Sequence, residues 1–147
     1  MKFKSSFLFV FLGVIGLIGI RVLEETLFYD PFLIYFKTID GAKVFPDFQW
    51  GKLVLGHFFR LTLNLFFSLI IVYFLFKDKI KTTQAFVLML LVFLITFPIY
   101  LYLVYTEFNS GLLLAFYVRR FVIQPIMLLL IIPMFYYIDT IKNRDKA

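Results

Sequence analysis

QAFVLMLLVFLITFPIYLYLVY, from Gln84 to Tyr105, contains no charged side chain. A bilayer core takes about 20 predominantly apolar residues as α-helix, because within it each backbone amide must be satisfied inside its own segment. This stretch therefore reads as a transmembrane helix, and the same criterion can be carried outward along the chain. Before it lies Leu53 to Phe76, closed by Lys77-Asp78-Lys79-Ile80-Lys81. After it lies Leu112 to Ile138, and at the start Ser5 to Leu23. The expectation is an all-α integral membrane protein, one domain over residues 1–147, with four transmembrane helices near 5–23, 53–76, 84–105 and 118–138.

Composition agrees. The chain is 63% hydrophobic and 22% aromatic, where soluble domains are about 45–50% apolar. With no cysteine there are no disulfides, thiolate metal sites or cysteine nucleophiles. One histidine, His57, is too few for a histidine-based metal site. Neither a metal nor a cofactor is expected. The net charge of +6 does not indicate a nucleic-acid binder. The lysines fall in short clusters between apolar runs, as in cytoplasmic loops, rather than on one soluble face.

The first run follows Lys2 and Lys4 and has the outline of a signal peptide. Gly19-Ile20-Arg21-Val22-Leu23-Glu24 holds no small-x-small cleavage site, so it reads as a retained helix. Gly13, Gly16 and Gly19 line roughly one side of it, either for close helix packing or because glycine is common in membrane helices. Residues 24–52 form the only long polar connection. It holds Glu24, Glu25, Asp30, Asp40 and Asp47 with Lys37, Lys43 and Lys52. Asp30-Pro31 has the form of a helix start, aspartate capping the first amides and proline taking the first turn. The following Phe32-Leu33-Ile34-Tyr35-Phe36 is too short to span and predicts an interfacial helix. Pro98 predicts a kink in the third span. The fourth apolar stretch exceeds one bilayer crossing and is interrupted by Arg119-Arg120. It is either one tilted helix or a surface segment, Leu112 to Val118, followed by a span that Pro125 and Pro133 bend.

The basic clusters give orientation. Lys2 and Lys4, then Lys77, Lys79 and Lys81, then Lys142, Arg144 and Lys146 share one face if four spans are present. That face is expected to be cytoplasmic, with both termini, in a bacterial inner membrane. The 24–52 connection is then periplasmic.

The informative residues are polar ones within or at the edge of apolar helices. His57, Arg60, Asn64 and Ser68 step by three and four along one helix face. Arg120 and Gln124 share another, with Arg119 beside them, and Arg21 ends the first helix. In this topology all these arginines lie toward the outer side, as do the acidic residues Glu24, Glu25, Asp30 and Glu107. An arginine at the centre of a membrane helix costs about 2.5–3.5 kcal/mol on insertion scales, so the layer needs a reason. Two readings stand. Arg60, Asn64, Arg119, Arg120 and Gln124 line a polar pocket for an anionic group, such as a lipid phosphate, a carboxylate or an acidic peptide. Alternatively, Arg60 and one of Arg119 or Arg120 pair with Glu24, Glu25 or Glu107 and hold the bundle together, Asp30 being a further candidate charge partner on that side. No catalytic residue is identified. His57 and Ser68 lie eleven residues apart, about 16 Å along a helix, too far for a nucleophile and its base. A bundle this small and without a repeat leaves little room for alternating access.

Several segments carry a resemblance to a known family. They are Phe28-Tyr29-Asp30-Pro31-Phe32 with Tyr35-Phe36-Lys37, then Arg60-x-x-x-Asn64, then Phe116-Tyr117-Val118-Arg119-Arg120-Phe121-Val122-Ile123-Gln124-Pro125, continuing to Ile132-Pro133-Met134-Phe135-Tyr136-Tyr137. Together they resemble the exosortase F system-associated membrane proteins of Gram-negative bacteria. The likeness runs over nearly the whole chain, and Arg119-Arg120 to Gln124-Pro125 is its most specific part. From Lys77 to Thr106 the match is one of apolarity alone. The resemblance implies a place beside exosortase F, a transpeptidase-like membrane protease for C-terminal sorting signals at the outer face of the inner membrane. Exosortases use a cysteine, which this chain lacks. The implied role is a non-catalytic accessory protein that binds the exosortase or its sorting-signal substrate. The alternative is an enzyme or carrier acting on an anionic lipid-linked group. The expected partners are membrane lipids and exosortase F or its substrates.

Overall fold

A computed structural model describes residues 2–37 and 44–146 of the chain; Asp40 and Lys43 of the long connection lie outside them. The protein is all-α and multi-pass. Its helices are α1 Lys2–Val22, α2 Glu24–Leu27, α3 Phe32–Lys37, α4 Trp50–Phe76, α5 Lys79–Tyr105, α6 Leu112–Ile123 and α7 Ile126–Arg144. Four of them, α1, α4, α5 and α7, are long and apolar enough to cross a membrane. Large apolar side chains point outward along them. Phe7 is 75% exposed, Leu55 71% and Leu129 72%, which suits a lipid-facing wall.

The helix ends follow local chemistry. Lys77 adopts a left-handed backbone (φ 52°) and closes α4, and Asp78 then caps α5 by accepting from the Ile80 amide at 2.8 Å. This cap starts α5 at Lys79, more than a turn before the predicted start at Gln84. Pro98 lies within α5, which continues to Tyr105. Beyond α5, Glu107 (φ 51°) and Phe108 (φ 61°) are both left-handed, a conformation that costs non-glycine residues about 1–3 kcal/mol each. The turn returns Phe108 to the protein, where it is 5% exposed and its ring meets Phe32, Tyr35, Phe36 and Phe45.

The fourth crossing differs from both sequence readings. It is helical from Leu112 but breaks at Gln124-Pro125, not near Val118. The residue before proline is driven to extended backbone, and Gln124 has ψ 142°. Pro125, at φ −77° and ψ 50°, centres a tight turn in which the Ile126 amide reaches the Gln124 carbonyl at 2.8 Å. Pro133 stays within α7. Arg119 and Arg120 therefore sit in α6, ahead of the fourth span. The break lies deep in the bundle, because the Asn64 side chain, halfway along α4, bonds the Ile123 carbonyl.

Two of the three glycines of α1 serve close packing. A Cβ on Gly13 would stand 2.6 Å from Ile71, and one on Gly16 2.3 Å from the Phe67 ring, whereas Gly19 meets nothing. α1 thus lies tightly on α4. α5 packs on α4, α6 and α7. The short helix α3 is present where expected, but Phe32, Leu33 and Phe36 are buried against the protein. An aromatic core at this end gathers Phe32, Phe36, Phe93, Phe97, Tyr100 and Phe108. A second, mainly aliphatic core at the end bearing the termini gathers Leu65, Ile71, Val72, Met89, Leu128 and Ile131.

Candidate functional site

Asp30 lies in the connection between α2 and α3, and Gly56 brings that connection onto α4. A Cβ at Gly56 would approach the Tyr29 carbonyl to 3.2 Å. The Asp30 side chain is 1% exposed, and one of its oxygens, Oδ2, accepts from Arg60 Nη1 at 3.3 Å and from Arg119 Nη2 at 2.5 Å. One carboxylate thus joins α4 and α6 to the connection. The same connection supplies aromatic faces to both arginines. The Arg60 guanidinium lies 4.6 Å from the Phe28 ring centroid and that of Arg119 5.5 Å from Phe36, within the range of cation–π attraction. Asp30 does not cap α3 with its side chain. It is occupied by arginines, and α3 begins with a backbone bond from the Leu33 amide to the Asp30 carbonyl.

The electrostatics favour the charged carboxylate. Burial works to push the Asp30 carboxyl up, but Arg119, His57 and Arg60 outweigh it and hold it below the usual aspartate value. Glu24, also buried, acts on Arg60 as well, so the two buried arginines are matched by two buried carboxylates, and the surplus cation of the group is Arg21, whose side chain is 55% exposed. Several polar atoms here have no hydrogen-bond partner among the described residues. They are Asp30 Oδ1, Arg60 Nε and Nη2, Arg119 Nε, His57 Nε2 and the Tyr100 hydroxyl, which sits against Arg119. His57 uses its other nitrogen, Nδ1, to donate to the Leu53 carbonyl at 2.8 Å.

The expected polar face of α4 exists: His57, Arg60, Asn64 and Ser68 are all buried. Asn64 donates to the Ile123 carbonyl at 2.9 Å, satisfying a carbonyl that the Pro125 break releases from the helical ladder. Gln124 is half-buried beside that break and lines a small cavity with Arg21, Glu24, Arg60 and Asn64. Arg120 is not brought into this cluster. It is exposed and lies over the Phe116 ring at 4.3 Å. Of the acidic candidates, Asp30 takes the arginines. Glu24 pairs with Arg21 at 3.0 Å, Glu25 pairs with Lys37, and Glu107 is exposed in its turn. The Lys37 ammonium, by hydrogen bond and by charge, holds the Glu25 carboxyl below its ordinary value.

Tyr100 was not among the sequence candidates. Its only signal was a hydroxyl two residues past Pro98 in an uncharged span, which reads equally as a lipid-facing ring. Among the described residues no group of His, Cys, Asp or Glu is placed to hold a metal ion. Comparison with protein-family models, curated proteins and solved structures returns no significant match.

Proposed function

We propose that this protein is a non-catalytic accessory component of an exosortase-type sorting system in a bacterial inner membrane, with both termini cytoplasmic. One observation carries the reading. Three segments that hold the family resemblance, Phe28 to Lys37, Arg60 to Asn64 and Phe116 to Pro125, are far apart in sequence and meet at Asp30. That meeting point ties Asp30 to α4 and α6 and leaves Arg120 and Tyr117 exposed beside it. A surface held together in this way suits docking of the exosortase or its sorting-signal substrate. Positive charge at its edge suits an acidic partner. A tagged copy should recover exosortase F in mild detergent, and deletion should impair processing. Normal processing of every sorting-signal protein in a clean deletion strain would defeat the proposal. Orientation is checked separately: a cysteine at Asp47 should label from outside, and one at Lys79 only after the cytoplasm is opened.

One observation favours a second reading, an enzyme or carrier acting on an anionic lipid-linked group: Arg60 keeps unpartnered donors and lines a cavity. That reading requires a chemically altered or translocated lipid, and lipid analysis of the same deletion strain tests it.

A further inference from the structure

α1 lies on α4, while α7 lies on α5 and α6. A cleft is left between α1 and α7, open to the side. Its outer part has a volume of about 330 Å³ and is lined by Leu17 and Arg21 of α1, Gln124 and Pro125 at the break, and Ile126, Leu128 and Leu129 of α7. Its inner part, about 30 Å³, adds Glu24, Arg60 and Asn64, and holds only one or two oxygen-sized atoms. Leu17, Arg21, Gln124 and Pro125 are common to both parts.

Three features make the inner end a site for an anion. Arg60 is 2% exposed, and its Nε and Nη2 have no partner among the described residues. Arg60 and Arg119 are matched by Asp30 and Glu24, all four buried, which leaves Arg21 as the surplus cation, its side chain 55% exposed. The N-terminus of α7 opens beside it with no side-chain cap, and such an end carries roughly half a positive charge. Half-helix ends within a membrane commonly face anionic groups.

The cleft also has a direction. From Arg21 back to Leu17 along α1, and from Gln124 forward to Leu129 along α7, both walls run toward the end bearing the termini. Polarity falls along both walls in that direction. This is the profile of a lipid standing in the leaflet nearer the long connection, phosphate at the arginines and chain in the cleft. Leu129, 72% exposed, faces the bilayer that supplies it.

We infer that the α1–α7 cleft binds one anionic phospholipid, its phosphodiester held by Arg21 and Arg60 beside the α7 N-terminus and an acyl chain lying between Leu17 and Leu129. The site does not depend on the sorting-system reading, because it is tested on the isolated protein. The full chain in detergent is incubated with phosphatidylglycerol, with phosphatidylcholine of the same chains, or with glycerol phosphate, and bound species are counted by native mass spectrometry. The expected result is one phosphatidylglycerol retained, at about tenfold higher affinity than phosphatidylcholine, as a charge-assisted pair would give. Arg21→Gln should erase that preference, and Leu129→Trp, which fills the cleft, should remove the bound lipid, with melting of each variant confirming that it is folded. Equal retention of the two lipids, unchanged binding in both variants, or glycerol phosphate binding as well as the whole lipid would each overturn the inference.

Discussion

At the end of the bundle that carries the long connection, a buried carboxylate shared by two arginines sits within a shell of aromatic rings. At the end that carries the termini, the core is mainly aliphatic, and the ion pair there, Lys81 to Asp139 at 2.5 Å, has its carboxylate side chain 40% exposed. The difference reflects what lipid does to helix association. Apolar side chains gain little by leaving lipid for an apolar core, so packing and polar contacts must hold helices together. The terminal end uses packing, with Gly13 and Gly16 letting α1 settle on α4. The connection end adds charge to its aromatic packing, and Asp30 ties the segment between the two short helices to α4 and to α6.

Asp30→Ala attacks the charged end and should have the largest effect. It leaves two buried guanidinium groups without their acceptor, a loss typically of about 3–5 kcal/mol. The variant should melt far below the parent in detergent or fail to accumulate. The same contact predicts a pH response. The Asp30 carboxyl is held below its ordinary value, so its contribution is complete above the pKa of an unfolded aspartate, about 3.9. It is lost as the pH falls through the lower folded value. Melting temperature should therefore drop on acidification in the parent, and drop less in a folded Asp30→Asn variant. Equal sensitivity in both would remove Asp30 as the cause.

Gly16→Val tests the packed end. Its side chain would meet the Phe67 ring, and overpacking of this kind costs about 1–3 kcal/mol. Gly19→Ala, which meets nothing, is the matched control and should melt as the parent does. If the two behaved alike, α1 would not be held by close approach.

Asn64→Leu tests the junction between the two regions. It leaves the Ile123 carbonyl unbonded at the helix break, and a membrane hydrogen bond of this kind is worth about 0.6–2 kcal/mol. Amide exchange at the start of α7 should rise in the variant; unchanged exchange would show that the break does not need Asn64.

Asp139→Asn should have the smallest effect, under about 1 kcal/mol and reduced further by salt, as for partly exposed ion pairs. A loss as large as that of Asp30→Ala would erase the contrast between the two ends.

The four spans were legible because their determinant is local. A membrane helix satisfies its own backbone, so length and apolarity suffice, and α1, α4, α5 and α7 follow from them. The shared face of His57, Arg60, Asn64 and Ser68 was legible for the same reason, since helical spacing alone fixes it. The partners were not. In sequence Asp30 read as a helix cap, and nothing ranked it above Glu24, Glu25 or Glu107 as an arginine partner; the close approach of Tyr29 to Gly56 brings Asp30 under Arg60 and Arg119. Nor could spacing show that Arg120, next to Arg119, turns outward onto Phe116. The break at Gln124-Pro125 lies between these cases. Proline announced a disturbance, but whether the chain bends or parts there depends on whether another helix can satisfy the freed carbonyl, and Asn64 does so. Sequence thus determined which segments cross the membrane and which faces are polar, because both are properties of a single helix. Tertiary structure alone decided which charges meet, which arginine turns outward, and where α1 and α7 stand apart, because each depends on residues that only the packing of separate helices brings within a few ångströms.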